Sequence, residues 1–145
     1  MTFGASDAPL SGKDLTEIGL AQFPMVMGGI VPVVNLAGIK PGAMGIDGPT
    51  LAKMFMGEIK KWDDPALKKL NPNVKMPDQA IALVHRSDGS DTTFNFTTYL
   101  AAVSVDWKSK VGVNTSVHCP ADTGAEVNKV VPNHVGQHKA EHGRA

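Results

Sequence analysis

Arg86, Ser90 and Thr92 fall within one short stretch around the polar loop Ser87-Asp88-Gly89-Ser90, which follows the apolar run Ile81-Ala82-Leu83-Val84. Arginine carries a planar fork of N–H donors that matches two oxygens of a tetrahedral oxyanion, and Ser90 and Thr92 add hydroxyl donors. A helix beginning near Ser90 leaves its first backbone N–H groups without partners inside the helix and turns its positive dipole end toward the loop. The chemistry this constellation could perform is capture of a tetrahedral oxyanion. Spacing alone leaves a plainer reading open, in which Asp88 or Ser90 only caps a helix and Arg86 is a surface charge.

Other chemistry finds less support. No G-x-S-x-G elbow, P-loop, dinucleotide fingerprint or H-E-x-x-H is present, so catalysis is not expected. Asp63 and Asp64 are adjacent, which suits a helix cap better than an acid–base pair. Cys119 is the single cysteine and cannot form an internal disulfide. His134, His138 and His142 recur every fourth residue, with Glu126 and Glu141 nearby, and a helix would place them on one face. Pro132, Gly136 and Gly143 work against such a helix, so no metal site and no cofactor is assigned.

The elements that must position the anion residues alternate between helix and strand, the mark of an α/β chain. Ser11 can cap a short helix carrying Leu15, Ile18 and Leu20, with Asp14 in its first turn. The run 26–35 is almost continuously apolar and of strand length, as in a strand covered on both faces. Gly38 and Pro41-Gly42 close it. Thr50 can cap a helix placing Leu51, Met54, Phe55 and Ile59 on one face, with Gly57 interrupting its end. Asp63-Asp64-Pro65 opens a second short helix through Leu67 and Leu70, which Asn71-Pro72 terminates. A strand over 81–86, the polar loop and a helix from Asp91 to about Val103 complete the pattern.

The chain has 145 residues, 42% of them apolar and 19% charged, with 14 basic and 14 acidic side chains. That is enough for one ordinary core, or one lobe and part of a second, and too little for two complete α/β lobes. Zero formal net charge gives no polyanion signal, and Lys60, Lys61, Lys68 and Lys69 alternate with Glu58, Asp63 and Asp64 as on a solvated helix face. Nucleic acid is therefore not an expected partner. No run reaches the roughly 20 apolar residues of a membrane-spanning helix, since Pro24 and Pro32 interrupt 23–36. The start has neither a basic nor an apolar leader region, so it is not read as a signal peptide.

Phe3-Gly4-Ala5-Ser6-Asp7-Ala8-Pro9-Leu10 and His85-Arg86-Ser87-Asp88-Gly89-Ser90-Asp91-Thr92-Thr93-Phe94 resemble, in the right order, two phosphate-contacting segments of the phosphate-specific periplasmic binding proteins that serve ABC-type transporters. Gly57 through Pro72 is similar to that family's helix pair, and 94–100 with Trp107 follows its pattern. The resemblance covers residues 3–115 closely and the remainder loosely. It implies a periplasmic binding protein type II-like α/β fold, mostly one lobe with a remnant of the other, 1–30 being the remnant and 31–145 the second lobe. The implied function is binding of inorganic phosphate in the periplasm for delivery to the membrane permease of an ABC transporter. The alternative is a shortened family member without ligand capture, acting at most as an interaction module.

The resemblance also assigns roles. Asp7 would accept a hydrogen bond from a protonated phosphate oxygen, while Arg86, Ser90, Thr92 and the backbone N–H of Asp91 donate to the others. A carboxylate acceptor suits phosphate, which carries a proton at neutral pH, and opposes sulfate, which does not. Three departures stand out. The family's Gly-rich phosphate segments have no counterpart ahead of Met1; Asp91 stands where Gly is usual; and in the tail Cys119, Val127 and Val130 replace a Trp and two Gly residues. Residues 116–145 are accordingly expected to be poorly or differently packed.

Overall fold

The computed structural model describes residues 3–6, 8–86, 88–117 and 122–125, the last four as backbone only. Asp7, Ser87 and the tail residues His118, Cys119, Glu126, His134, His138, Glu141 and His142 lie outside the described residues. Local chemistry explains where each helix begins. Helix α1 (Gly12–Ile18) starts at Ser11, whose hydroxyl accepts from the Asp14 amide at 3.1 Å, and stops at Gly19, in the left-handed region with φ 66°. Helix α2 (Gly48–Phe55) is capped by Asp47, whose carboxylate takes the Thr50 amide at 2.9 Å. Thr50, expected as the cap, therefore sits one turn inside, because a carboxylate preceding Gly-Pro is the better acceptor at that end. Ile59, expected on this helix, lies beyond it and is buried all the same. Helix α3 (Pro65–Leu70) has the expected Asp64 cap and Pro65 at its first position.

Strand β1 (Leu83–Arg86) is shorter than the 81–86 run that suggested it, and pairs in parallel with β2 (Asp122–Ala125), Leu83 opposite Asp122 and Arg86 opposite Ala125. Helix α4 (Asp91–Val103) occupies the span expected for it, and α5 (Val105–Lys110), not foreseen, follows after Ser104. Ser104 serves both helices. It ends α4 in an extended conformation, and its side chain accepts from the Trp107 amide at 3.2 Å to start α5.

The expected strand over 26–35 is absent. Its side chains stand in solvent, Val26 at 90% and Met27 at 99% exposure, and no ladder reaches it. A strand is made by its neighbours, and the two described strands pair with each other, so a two-face apolar pattern finds no sheet to enter. Helix α1 likewise buries no residue, and Ile18 and Leu20 remain exposed.

The core lies between Leu36 and Trp107. Leu51 and Ala52 of α2 pack with Leu100 of α4 and Trp107 of α5, edged by Phe55, Phe96 and Val111. The rings of Phe55 and Phe96 meet edge to face with centroids 5.0 Å apart. A second cluster joins Met54, Ile59 and Leu67 beneath Trp62 and Ile81. Polar groups in this interior are satisfied locally: the Trp107 indole donates to the Gly112 carbonyl at 3.0 Å, and buried Asn71 brackets Gly45, accepting from its amide at 2.7 Å and donating to its carbonyl at 2.8 Å.

Helices α2 and α4 approach closely at Gly48. A Cβ there would lie 2.7 Å from Tyr99 Oη, 2.9 Å from Val103 Cγ2 and 3.0 Å from Val103 Cβ. The tyrosine tip can swing toward solvent, but a valine Cβ moves only with its backbone. We expect Gly48→Ala to destabilise the fold by about 1–3 kcal/mol despite alanine's better helix propensity. Gly45→Ala, whose new Cβ would meet Asn71 Oδ1 at an ordinary 3.9 Å, should stay within about 0.5 kcal/mol of the parent in chemical denaturation. Equal stability of all three proteins would contradict this packing.

Candidate functional site: the β1–α4 corner

Strand β1 ends at Arg86, and four residues later Ser90 caps α4, so a short loop turns the chain through a corner. Ser90 is buried at 5% exposure because the corner is clasped from behind: its amide donates to the Thr115 carbonyl at 2.9 Å. Thr97, fully buried about two turns further on, donates to the Asn114 carbonyl at 3.2 Å and accepts from the Asn114 amide at 3.3 Å. The 112–117 loop thereby fixes the direction in which α4 points its N-terminus. Ser90 Oγ accepts from the Thr93 amide at a long 3.5 Å, which leaves the hydroxyl proton of Ser90 to be donated elsewhere. In the first turn, the amides of Asp91 and Thr92 have no acceptor within the helix.

Arg86 is held in a two-pronged ion pair with Asp88. Nε donates to Asp88 Oδ1 at 2.9 Å, and Nη2 to Asp88 Oδ2. The pair uses the Nε–Nη2 edge of the guanidinium. Both side chains are partly covered, Arg86 at 19% and Asp88 at 38% exposure. Hydrogen bonding to Arg86 holds the Asp88 carboxyl below the ordinary carboxylate value, and the same bond pushes the Arg86 guanidinium further up. Asp88 was read from sequence as a possible cap; Ser90 takes that role and Asp88 orients the arginine.

Of the residues predicted for the site, Arg86, Ser90, Asp91 and Thr92 come together at this corner, Asp91 and Thr92 half-buried in the first turn of α4. Asp7 lies outside the described residues, but Ser6 reaches the corner, its hydroxyl proton shared between the Ala8 carbonyl at 3.1 Å and Asp91 Oδ2 at 3.2 Å. Sequence reasoning missed Ser6, since nothing local marks a contact across 85 positions. It could have found Asp88 as the partner of Arg86, because an acid two residues past a strand-end arginine is within reach of its fork. Two hollows among the described residues, about 330 Å³ beside Met56 and Lys110 and about 530 Å³ between 32–36 and 78–84, are not lined by these residues. The corner is a surface built from a strand end and a helix end.

The ion pair makes a titration prediction. Asp88 should titrate below 3.8 when followed by carboxyl-carbon NMR, and Arg86→Gln should raise it toward that ordinary value. Because the folded-state value is depressed, the stabilisation from the pair is present above the unfolded-state value and is lost as pH falls through the folded one. An Asp88 titration indifferent to Arg86→Gln would contradict the pairing.

Comparison with known proteins places the chain in a lineage. The profile of the PBP superfamily domain matches residues 1–139. The phosphate-binding protein PstS of Xylella fastidiosa strain 9a5c is 51% identical over 141 residues, 97% of this chain and 39% of the relative. The protein of the same name from Haemophilus influenzae is 50% identical over 137 residues, 94% of this chain and 41% of its own length. A PstS from Methanocaldococcus jannaschii is 42% identical over 103 residues, covering 70% of this chain and 26% of that protein. With nearly all of its length inside that profile, the chain belongs to the PBP superfamily, corresponding to about two fifths of the bacterial PstS relatives it matches.

Proposed function

We propose that this chain binds inorganic phosphate at the β1–α4 corner and, within a PstS-type binding protein, serves uptake through the membrane permease of an ABC transporter in the periplasm. The observation that carries the reading is Arg86, oriented by Asp88 beside the capped N-terminus of α4, in a chain half identical to proteins named for phosphate binding. A guanidinium held in one plane loses little freedom on meeting an oxyanion, and the first amides of α4 supply further donors without reorganising. Ser90 and Thr92 complete the donor set. The carboxylate of Asp7 is assigned the protonated oxygen, which makes phosphate acceptable and sulfate an unpaired, repelled ligand. Residues 1–30 are assigned to one lobe and 31–145 to the other, with capture in the cleft between them.

Arg86→Lys separates this reading from a plain helix cap. Lysine keeps the charge and loses the fork, so calorimetric titration should show phosphate binding weakened by about tenfold, ~1.4 kcal/mol, with sulfate bound more weakly than phosphate by the parent. Thermal stability should change little, because Arg86 is outside the two apolar clusters. Equal phosphate affinity in both proteins would remove Arg86 from the site.

A further inference from the structure

Asp91 stands at the first position of α4, and its carboxylate is turned toward Ser6 rather than held against its own helix. Ser6 Oγ accepts from the Ala8 amide at 3.2 Å, and its single proton is shared between the Ala8 carbonyl at 3.1 Å and Asp91 Oδ2 at 3.2 Å, so the hydroxyl both bends its own segment and joins it to α4. Gln22 secures the same segment from the other side, taking the Leu10 amide at 2.9 Å and donating to the Ala8 carbonyl at 3.4 Å. Ala8 and Leu10 are thus tied to Gln22, and Ser6 to the first residue of α4. Glycine at position 91 has no side chain with which to make such a tie.

We infer that Asp91 is a positioning residue, whose carboxylate docks the Ser6 segment at the N-terminus of α4 and so brings together the two parts of the chain that contribute to the phosphate site. This rests on the phosphate reading given above. The same carboxylate exacts an opposing effect, since its negative charge repels a bound anion. Tether and charge therefore act on affinity with opposite signs, and they are separable by chemistry. Asparagine keeps an oxygen acceptor for Ser6 and drops the charge; glycine loses both.

The experiment measures phosphate affinity by calorimetry, and amide hydrogen exchange across 4–8, in the parent, Ser6→Ala, Asp91→Asn, Asp91→Gly and the Ser6→Ala/Asp91→Gly double variant. Asp91→Asn should bind inorganic phosphate about threefold or more tightly than the parent, by a margin that narrows as salt is raised. Asp91→Gly should bind about threefold to tenfold more weakly than Asp91→Asn. Ser6→Ala should weaken binding and speed exchange in the parent background and do neither in the Asp91→Gly background, the signature of a shared contact. Independent, additive effects of Ser6→Ala and Asp91→Gly on both readouts would overturn the tether while leaving phosphate binding intact. Coupled exchange in proteins that bind no phosphate would overturn the functional reading of the corner, and the positioning role with it.

Discussion

The inner face of α4 is the constraint on which the rest depends. Leu100 is fully buried against Leu51, Ala52 and Trp107, and Thr97 is fully buried in hydrogen bonds to Asn114. Side chains four or seven residues apart lie on one helical stripe, so fixing Thr93, Thr97 and Leu100 fixes the azimuth of the whole helix. The azimuth in turn decides which way the first turn of α4 faces. Because the Ser90 amide is also bonded to Thr115, the corner is anchored at its N-cap as well as along its length. An anion site made of backbone amides is only as well ordered as the helix that carries them.

Charge at this corner is arranged in pairs. Asp88 neutralises and orients Arg86, and Asp91 receives the Ser6 hydroxyl, so each carboxylate near the helix end has a described partner. The distinction between them is what they hold. Asp88 acts on the cation that would meet the ligand, whereas Asp91 acts on another segment of the chain. The apolar clusters lie away from the corner, among α2, α3, α4 and α5, which allows changes of charge at Arg86, Asp88 or Asp91 without removal of core contacts. The extended 20–34 region contrasts with that core, exposing Phe23, Met25, Val26, Met27 and Val31.

Local sequence signals served well where short-range chemistry decides. Ser11 and Asp64 were legible as helix caps, Ser90 as one of two candidates with Asp88, and the bounds of α4 were recoverable, because a cap and the backbone amides it satisfies are within four residues of each other. Thr50 was misread as a cap because two acceptors, Asp47 and Thr50, flank the same Gly-Pro, and periodicity does not rank them. The run 26–35 failed for a deeper reason: its apolar pattern specifies a need for covered faces, while forming a strand requires a neighbour that local sequence does not name. Chemistry picked out Arg86, Ser90 and Thr92 as a candidate anion constellation, and family resemblance added Asp7 and Asp91. The Ser6–Asp91 contact joins positions 85 apart and had no local signal.

The central claim is that the N-terminus of α4, with Arg86, is where phosphate meets this chain. Amide chemical shifts in a ¹⁵N-labelled protein, followed while inorganic phosphate is added at constant pH and ionic strength, test it directly. The account predicts saturable shifts concentrated at the amides of Asp91 and Thr92 and at the Arg86 side-chain Nε, with sulfate producing smaller changes at the same concentrations. Shifts that are absent there, or that concentrate at the exposed lysines Lys60, Lys68 and Lys69 and grow without saturation, would contradict it.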